Sequence, residues 1–222
     1  MHSSVKNLSL IKIKIKEILH NKQLKTSPQI IAVTKTFSLE NITPLLETGH
    51  VHFGENKIQE AEKKWPQVKS LYPNLQLHMI GKLQSNKVKK AVMLFDYIHS
   101  LDSEKLAIKI KECEDELKKK IKIFIQVSVA NESQKSGISL DNLNSFCNYC
   151  VKELSLNIVG LMCLPPMDSN PKQYFQLLKK KSEELNLNHL SMGMSSDYAQ
   201  AIICGSTFLR LGTLIFGNRK TN

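Results

Sequence analysis

The stretch Ile30-Ile-Ala-Val-Thr-Lys-Thr36 decides how the rest of the chain is read. An apolar run this short, closed by a lysine, predicts a fully buried strand of a parallel sheet. Lys35 then stands at or near the carboxyl end of that strand, the edge where parallel α/β sheets and barrels gather ligand and catalytic groups. A lysine there is partly desolvated, which disfavours the ammonium and makes the free amine more available as a nucleophile. The natural partner of such an amine is an aldehyde, with which it forms a Schiff base. Taken alone, the heptapeptide favours a solvated strand cap, as most lysines are. The downstream sequence changes that balance.

Outward from this strand, short apolar runs alternate with helical patterns. Leu8, Ile11, Ile15, Ile18 and Leu19 fall at helical spacing and predict a helix from about Ser4 to Leu24, stopped by Thr26-Ser-Pro28. Seven further strands are expected at His50–Gly54, Leu75–Gly81, Phe95–Ser100, Ile121–Val129, Ile158–Leu164, His189–Met194 and Phe208–Gly212. Helices are expected after Ser38, from Ile58 to Val68, from Gln84, from Asp102-Ser103 to Lys119, from Leu140 to Leu154, from Pro171 to Leu185, and from Ser195-Ser-Asp197 to Cys204. Eight strands alternating with helices predict βα units, and eight such units predict closure into a (β/α)8 barrel. No helix of useful length follows the last strand, so the N-terminal helix is expected to cover that gap. One domain spanning residues 1–222 is expected, since barrels of this size form single domains.

The apolar fraction of 41% suits a globular core, and no apolar run approaches the roughly 20 residues of a membrane span. The Ile/Lys alternation of Leu10–Lys16 offers no signal-peptide core, so a cytoplasmic location is expected. A net charge of +11 raises a nucleic-acid reading. Arg210 and Arg219 are the only arginines, however, and aromatic residues are few. The bidentate and stacking groups such binding needs are thus scarce, and solvated helix faces explain the lysines better. Cys147-Asn-Tyr-Cys150 is a lone CxxC inside a helical pattern, read as two buried or half-buried thiols with no metal.

Several polar residues follow predicted strands: Lys35, Glu55, Asn56, His78, Ser85, Asn86, Ser195, Arg210 and Thr213. Each alone is explained by a cap, a turn or a bonded core side chain; Ser195 and Ser196 could be plain N-caps. Arg210 differs, because it sits in an apolar run and a buried guanidinium needs a carboxylate or a polar ligand close by. Ser191-Met-Gly-Met-Ser-Ser-Asp197 and Gly212-Thr213 have the small residues and hydroxyls of an anion site after strands seven and eight, where barrels often hold a phosphate. Barrel closure sets that pocket beside the lysine of strand one. An aldehyde carrying a phosphate fits the pair, and pyridoxal 5′-phosphate is such a molecule.

At this point the chain resembles the pyridoxal phosphate homeostasis proteins, single-domain relatives of the alanine racemase barrel. The motifs that carry the likeness are Ala32–Thr36, Phe53-Gly-Glu-Asn56, His78–Lys87, Gly160-Leu-Met162, Leu190–Ser195 and Gly205–Gly217. The resemblance implies a Schiff base on Lys35, Arg210 facing the pyridine nitrogen, a phosphate held by Ser195, Gly212 and Thr213, and Asn56 beside the ring. Lys135 matches a lysine suggested to move the cofactor. The chain departs from many members at Phe37, where they have a second lysine, and at Leu77-His-Met, where they have Trp-His-Phe.

An arginine at the ring nitrogen leaves it unprotonated and a poorer electron sink. Alanine racemase also draws a tyrosine base from a C-terminal domain, whereas this sequence ends at Asn222. The expectation is therefore a monomeric carrier and buffer of pyridoxal phosphate without dedicated catalysis, with apo-enzymes as recipients and no nucleic-acid or membrane partner. The alternatives are a weak amino-acid racemase and a basic nucleic-acid binder.

Overall fold

Strand β1, Gln29–Val33, is buried at four of its five residues and pairs in parallel on both sides. It belongs to a computed structural model that describes residues 2–130, 136–166 and 170–218. The other strands are β2 (His52–Glu55), β3 (Gln76–Met79), β4 (Tyr97–Leu101), β5 (Lys122–Ser128), β6 (Ile138–Ser139), β7 (Ile158–Met162), β8 (His189–Ser191) and β9 (Phe208–Leu211). The helices are α1 (Ser3–Asn21), α2 (Leu39–Glu47), α3 (Ile58–Leu71), α4 (Val88–Leu94), α5 (Glu104–Leu117), α6 (Leu143–Asn148), α7 (Pro171–Glu184), α8 (Tyr198–Ile203) and α9 (Thr213–Phe216).

The sheet runs β4-β3-β2-β1-β9-β8-β7-β5, and a β4–β5 pairing closes it. This is the expected eight-stranded parallel barrel with helices outside. The two-residue β6, which pairs with β5, was not foreseen beside the polar loop after the fifth strand.

Period-two alternation divides each strand between two environments. Ile30, Ala32, Phe53, Leu77, Ile98, Ile123, Leu190, Leu209 and Leu211 pack with the helices in the large outer core. Ile31, Tyr97, Phe124, Met162 and Phe208 form a separate small cluster inside the barrel. The register Ile31↔Arg210 turns Arg210 to that same inner side.

Helix α1 covers the gap left by the short α9. Leu8, Ile11 and Ile15 are buried, and Asn7 donates to the Ile215 main-chain oxygen at 3.0 Å. Each of these apolar side chains stabilises the docked helix by about 1.5–3 kcal/mol.

The observed elements are shorter than expected at three places that matter. The first strand ends at Val33 because Thr36 takes φ +69, a left-handed value that no strand accommodates. The helix expected over 140–154 starts at Leu143 and passes into a π-helical turn at Tyr149–Glu153. Ser195 does not cap α8: its hydroxyl accepts from the Leu214 amide at 3.3 Å, across to α9, and Asp197 holds the N-cap position. No described helix is long and apolar enough to cross a membrane.

Candidate functional site

Lys35 occupies the turn after β1 and is half-buried. Both of its neighbours are held by charged side chains. The Thr34 hydroxyl donates to Glu55 Oε1 at 2.7 Å, and the Thr34 main-chain oxygen accepts from Lys64 Nζ at 2.9 Å. On the other side, the Thr36 amide donates to Glu60 Oε1 at 2.5 Å. Lys64 joins the two arms, lying 2.8 Å from Glu55 Oε1 and 3.1 Å from Glu60 Oε1. Trp65 Nε1 also donates to Glu55 Oε1, at 2.9 Å. A β-branched residue at positive φ costs on the order of 1–3 kcal/mol and persists only where its surroundings over-determine it. Glu60 and Lys64 supply that constraint beside the one lysine on the cavity among the described residues.

Arg210 is only 5% exposed, and of the two partners expected, a carboxylate or a polar ligand, no carboxylate pairs with it among the described residues. Its Nη1 donates to the Ser191 main-chain oxygen (2.6 Å) and hydroxyl (2.8 Å), and its Nη2 to the Cys163 main-chain oxygen (2.9 Å). Its acceptors among the described residues are thus neutral groups at a barrel-strand edge. Burial pulls the guanidinium pKa below its ordinary value, with Asp197 among the groups opposing the shift. Burial also pushes the Cys163 thiol up to about 12, so it is no nucleophile at neutral pH.

Lys35, Asn56, Ser195, Arg210, Gly212 and Thr213 all line one cavity of about 480 Å³. Val33, Phe37, Ile80, Leu164, Met194, Ser196 and Gly217 complete its described wall. The size suits a small cofactor. The loop after β8 reaches this wall through Gly193, at φ +93, where an added Cβ would meet the Ala201 Cβ at 2.6 Å. The Gly193 main-chain oxygen accepts from the Arg210 amide at 2.9 Å, which ties the loop to β9. Asp197 Oδ1 accepts from the Met194 amide at 2.5 Å and fixes the turn before α8. Phe37 stacks on Phe216, ring centroids 4.7 Å apart, joining the Lys35 turn to α9.

His78 is the bonded core histidine expected, but it belongs to a longer series that sequence reasoning missed. His52, His78, His99 and Ser191 are linked ring to ring and ring to hydroxyl at 3.0, 2.9 and 2.8 Å. All four fall on inward positions of their strands, and that alternation was the available signal. Glu60 and Lys64 were also missed, since a helical Glu/Lys pair at this spacing reads as a surface ion pair. Cys147 and Cys150 are buried free thiols, and no group of His, Cys, Asp and Glu able to hold a metal exists among the described residues. Lys135 lies outside the described residues.

A lysine on the first strand's turn and a buried arginine on the last, opening on one cavity at the carboxyl edge of a parallel barrel, define a cofactor-binding barrel of the alanine racemase type. The alanine racemase N-terminal domain family matches residues 11–220. The pyridoxal phosphate homeostasis protein of Aquifex aeolicus is 37% identical over 86% of this chain and 87% of its own length. That of Pasteurella multocida is 34% identical over 96% of each. The structure of PipY from Synechococcus elongatus, solved with PLP bound, superposes with a TM-score of 0.81 at 35% identity, covering 91% of this chain and all of that one. The chain belongs to the pyridoxal phosphate homeostasis protein family.

Proposed function

We propose that this protein binds pyridoxal 5′-phosphate reversibly in the cavity between β1 and β9, and so buffers and delivers it within the cell. The observation that carries the reading is the convergence of Lys35, Arg210, Ser195 and Thr213 on one cavity. The donor set fits the cofactor group by group. Lys35 has the amine that captures an aldehyde, and Arg210 has fixed N–H donors for an unprotonated ring nitrogen. Ser195, Gly212 and Thr213 offer hydroxyls and a close backbone approach for the phosphate, and Asn56 an amide beside the ring. When bound, the cofactor supplies electron-sink chemistry; an arginine at its nitrogen restrains that capacity. The name of the relatives and the PLP-bound cyanobacterial structure support the same ligand.

A carrier without dedicated catalysis is the reading we favour over a racemase. Among the described residues that line the cavity, Lys35 is the only general base in reach: no His, Tyr, Cys, Asp or Glu shares the wall. Stereoinversion requires proton delivery to both faces of a carbon, which one base does not provide. Client apo-enzymes would draw the cofactor by transfer.

An absorbance spectrum of the purified, cofactor-loaded protein tests the binding. An imine band is expected, and borohydride should abolish it. Peptide mapping of the reduced protein should then find the pyridoxyl group on Lys35. Modification at other lysines alone would refute the site.

A further inference from the structure

We propose that Ser191, His99, His78 and His52 form a polarised positioning chain for Arg210, in which all three imidazoles are neutral Nε2–H tautomers and their aligned dipoles present their negative ends to the guanidinium. The inference rests on the reading of the cavity as a pyridoxal phosphate site, where Arg210 would meet the ring nitrogen.

The order of the chain follows from what each group can donate. A guanidinium only donates. Ser191 Oγ therefore accepts from Arg210 Nη1 at 2.8 Å. The other partner of that hydroxyl among the described residues is His99 Nδ1 at 2.8 Å, and it is the acceptor in reach for the serine proton, so that proton is assigned to it and His99 Nδ1 accepts. A neutral His99 then carries its proton on Nε2 and donates to His78 Nδ1 at 2.9 Å. By the same logic His78 donates from Nε2 to His52 Nδ1 at 3.0 Å. His52, half-buried at the start of β2, ends the chain with its own Nε2–H. Every acceptor lone pair in the series faces Arg210, and every N–H faces away from it. Aligned hydrogen bonds in a low-dielectric interior polarise one another and strengthen the whole series.

The surroundings keep the rings neutral. His78 and His99 are fully buried. The charges facing them are cationic: Arg210 on β9, and Lys122 on β5, whose Nζ donates to the Tyr97 hydroxyl at 3.1 Å. His50 and His189, the remaining titratable rings nearby, are held below their ordinary pKa by burial first. Burial chiefly, and neighbouring positive charge next, holds His78 and His99 well below theirs. Stacking of His78 on Tyr97 and of His99 on Phe124, both with centroids 4.3 Å apart, fixes the ring planes.

The test is two-bond proton–nitrogen correlation NMR on uniformly nitrogen-15-labelled protein, free and loaded with pyridoxal phosphate. Nε2–H tautomers are expected at all three histidines in both forms, unchanged between about pH 6 and 8, the range in which a free imidazole titrates. An Nδ1–H tautomer or an imidazolium at any of the three would overturn the order. Ser191→Ala removes the hydroxyl link alone. It should release His99 from its single tautomer, shift the imine band of the loaded protein and weaken cofactor affinity about tenfold, the worth of one charge-assisted hydrogen bond. Ser191→Thr should restore all three. A Ser191→Ala protein with wild-type tautomers, band and affinity would show that the chain does not act on Arg210. A wild-type protein with the expected tautomers but no imine band would refute the cofactor assignment and uphold the order of the chain.

Discussion

Lys64 Nζ and Glu55 Oε1 stand 2.8 Å apart, and the same ammonium donates to the main-chain oxygen of Thr34, one residue before Lys35. Glu55 is fully buried, and its Oε2 makes no hydrogen bond among the described residues. The pair therefore sits in a low-dielectric site where losing one partner strands the other.

Replacing Lys64 with Met should cost about 3–5 kcal/mol of stability, because it leaves the Glu55 carboxylate buried and uncompensated. Adding Glu55→Gln to that variant should recover part of the loss. Chemical denaturation of the single and double variants reads both. Wild-type stability for Lys64→Met would mean that the pair is not a structural anchor of the Lys35 turn.

Arg210→Gln should alter the spectrum of the loaded protein and weaken binding. The stability loss should be smaller than for a broken ion pair, about 1–3 kcal/mol, since the groups left behind are two main-chain oxygens and a hydroxyl. Denaturation of the cofactor-free variant separates this from the binding defect. Unchanged spectrum and affinity would remove Arg210 from the ring-nitrogen position.

Stability should fall as the solution is acidified from pH 6.5 toward 4. Burial, with Lys12 nearby, lowers the His50 pKa from 6.5 to about 4 in the folded state. Between those values the unfolded chain binds the extra proton, so stability present above 6.5 is lost on the way down. One such histidine contributes a slope of about 1.4 kcal/mol per pH unit inside the window. His50→Gln keeps an N–H for the His52 main-chain oxygen and should flatten the dependence by that amount. An unaltered slope in denaturant titrations across this range would contradict it.

In deuterated buffer the loaded protein should exchange the α-hydrogen of L-alanine no faster than free pyridoxal phosphate does. The reason is the arginine proposed at the ring nitrogen, which restrains the carbanion that exchange requires; inversion would further need a second base, and among the described residues only Lys35 offers one on the wall. Proton NMR follows the loss of signal directly. Rapid exchange with inversion would restore the racemase reading.

The barrel was legible because its signal is repetition: short apolar runs, each followed by a helix with a start signal. The end of the first strand was not, because nothing in Thr34-Lys-Thr36 announces a left-handed threonine; Glu60 enforces it from another element. Lys35 and Arg210 stood out by type and setting. The source of Arg210's compensation did not, because main-chain oxygens carry no mark in a sequence. The inner histidines were hidden differently. His52, His78 and His99 sit on three separate strands, and the parallel pairing of β2, β3 and β4 brings them together.

The wall of the cavity joins the turn after the first strand to the residues after the last, along the β1–β9 seam. On the ribosome, Lys35 leaves the exit tunnel long before Arg210 is made. Until β9 docks against β1, a nascent chain has an amine but no enclosure around it. If Lys35 captures the cofactor as proposed, enclosed binding is therefore a post-synthetic event, and a translation product that stalls before β9 would lack the cavity that holds the aldehyde.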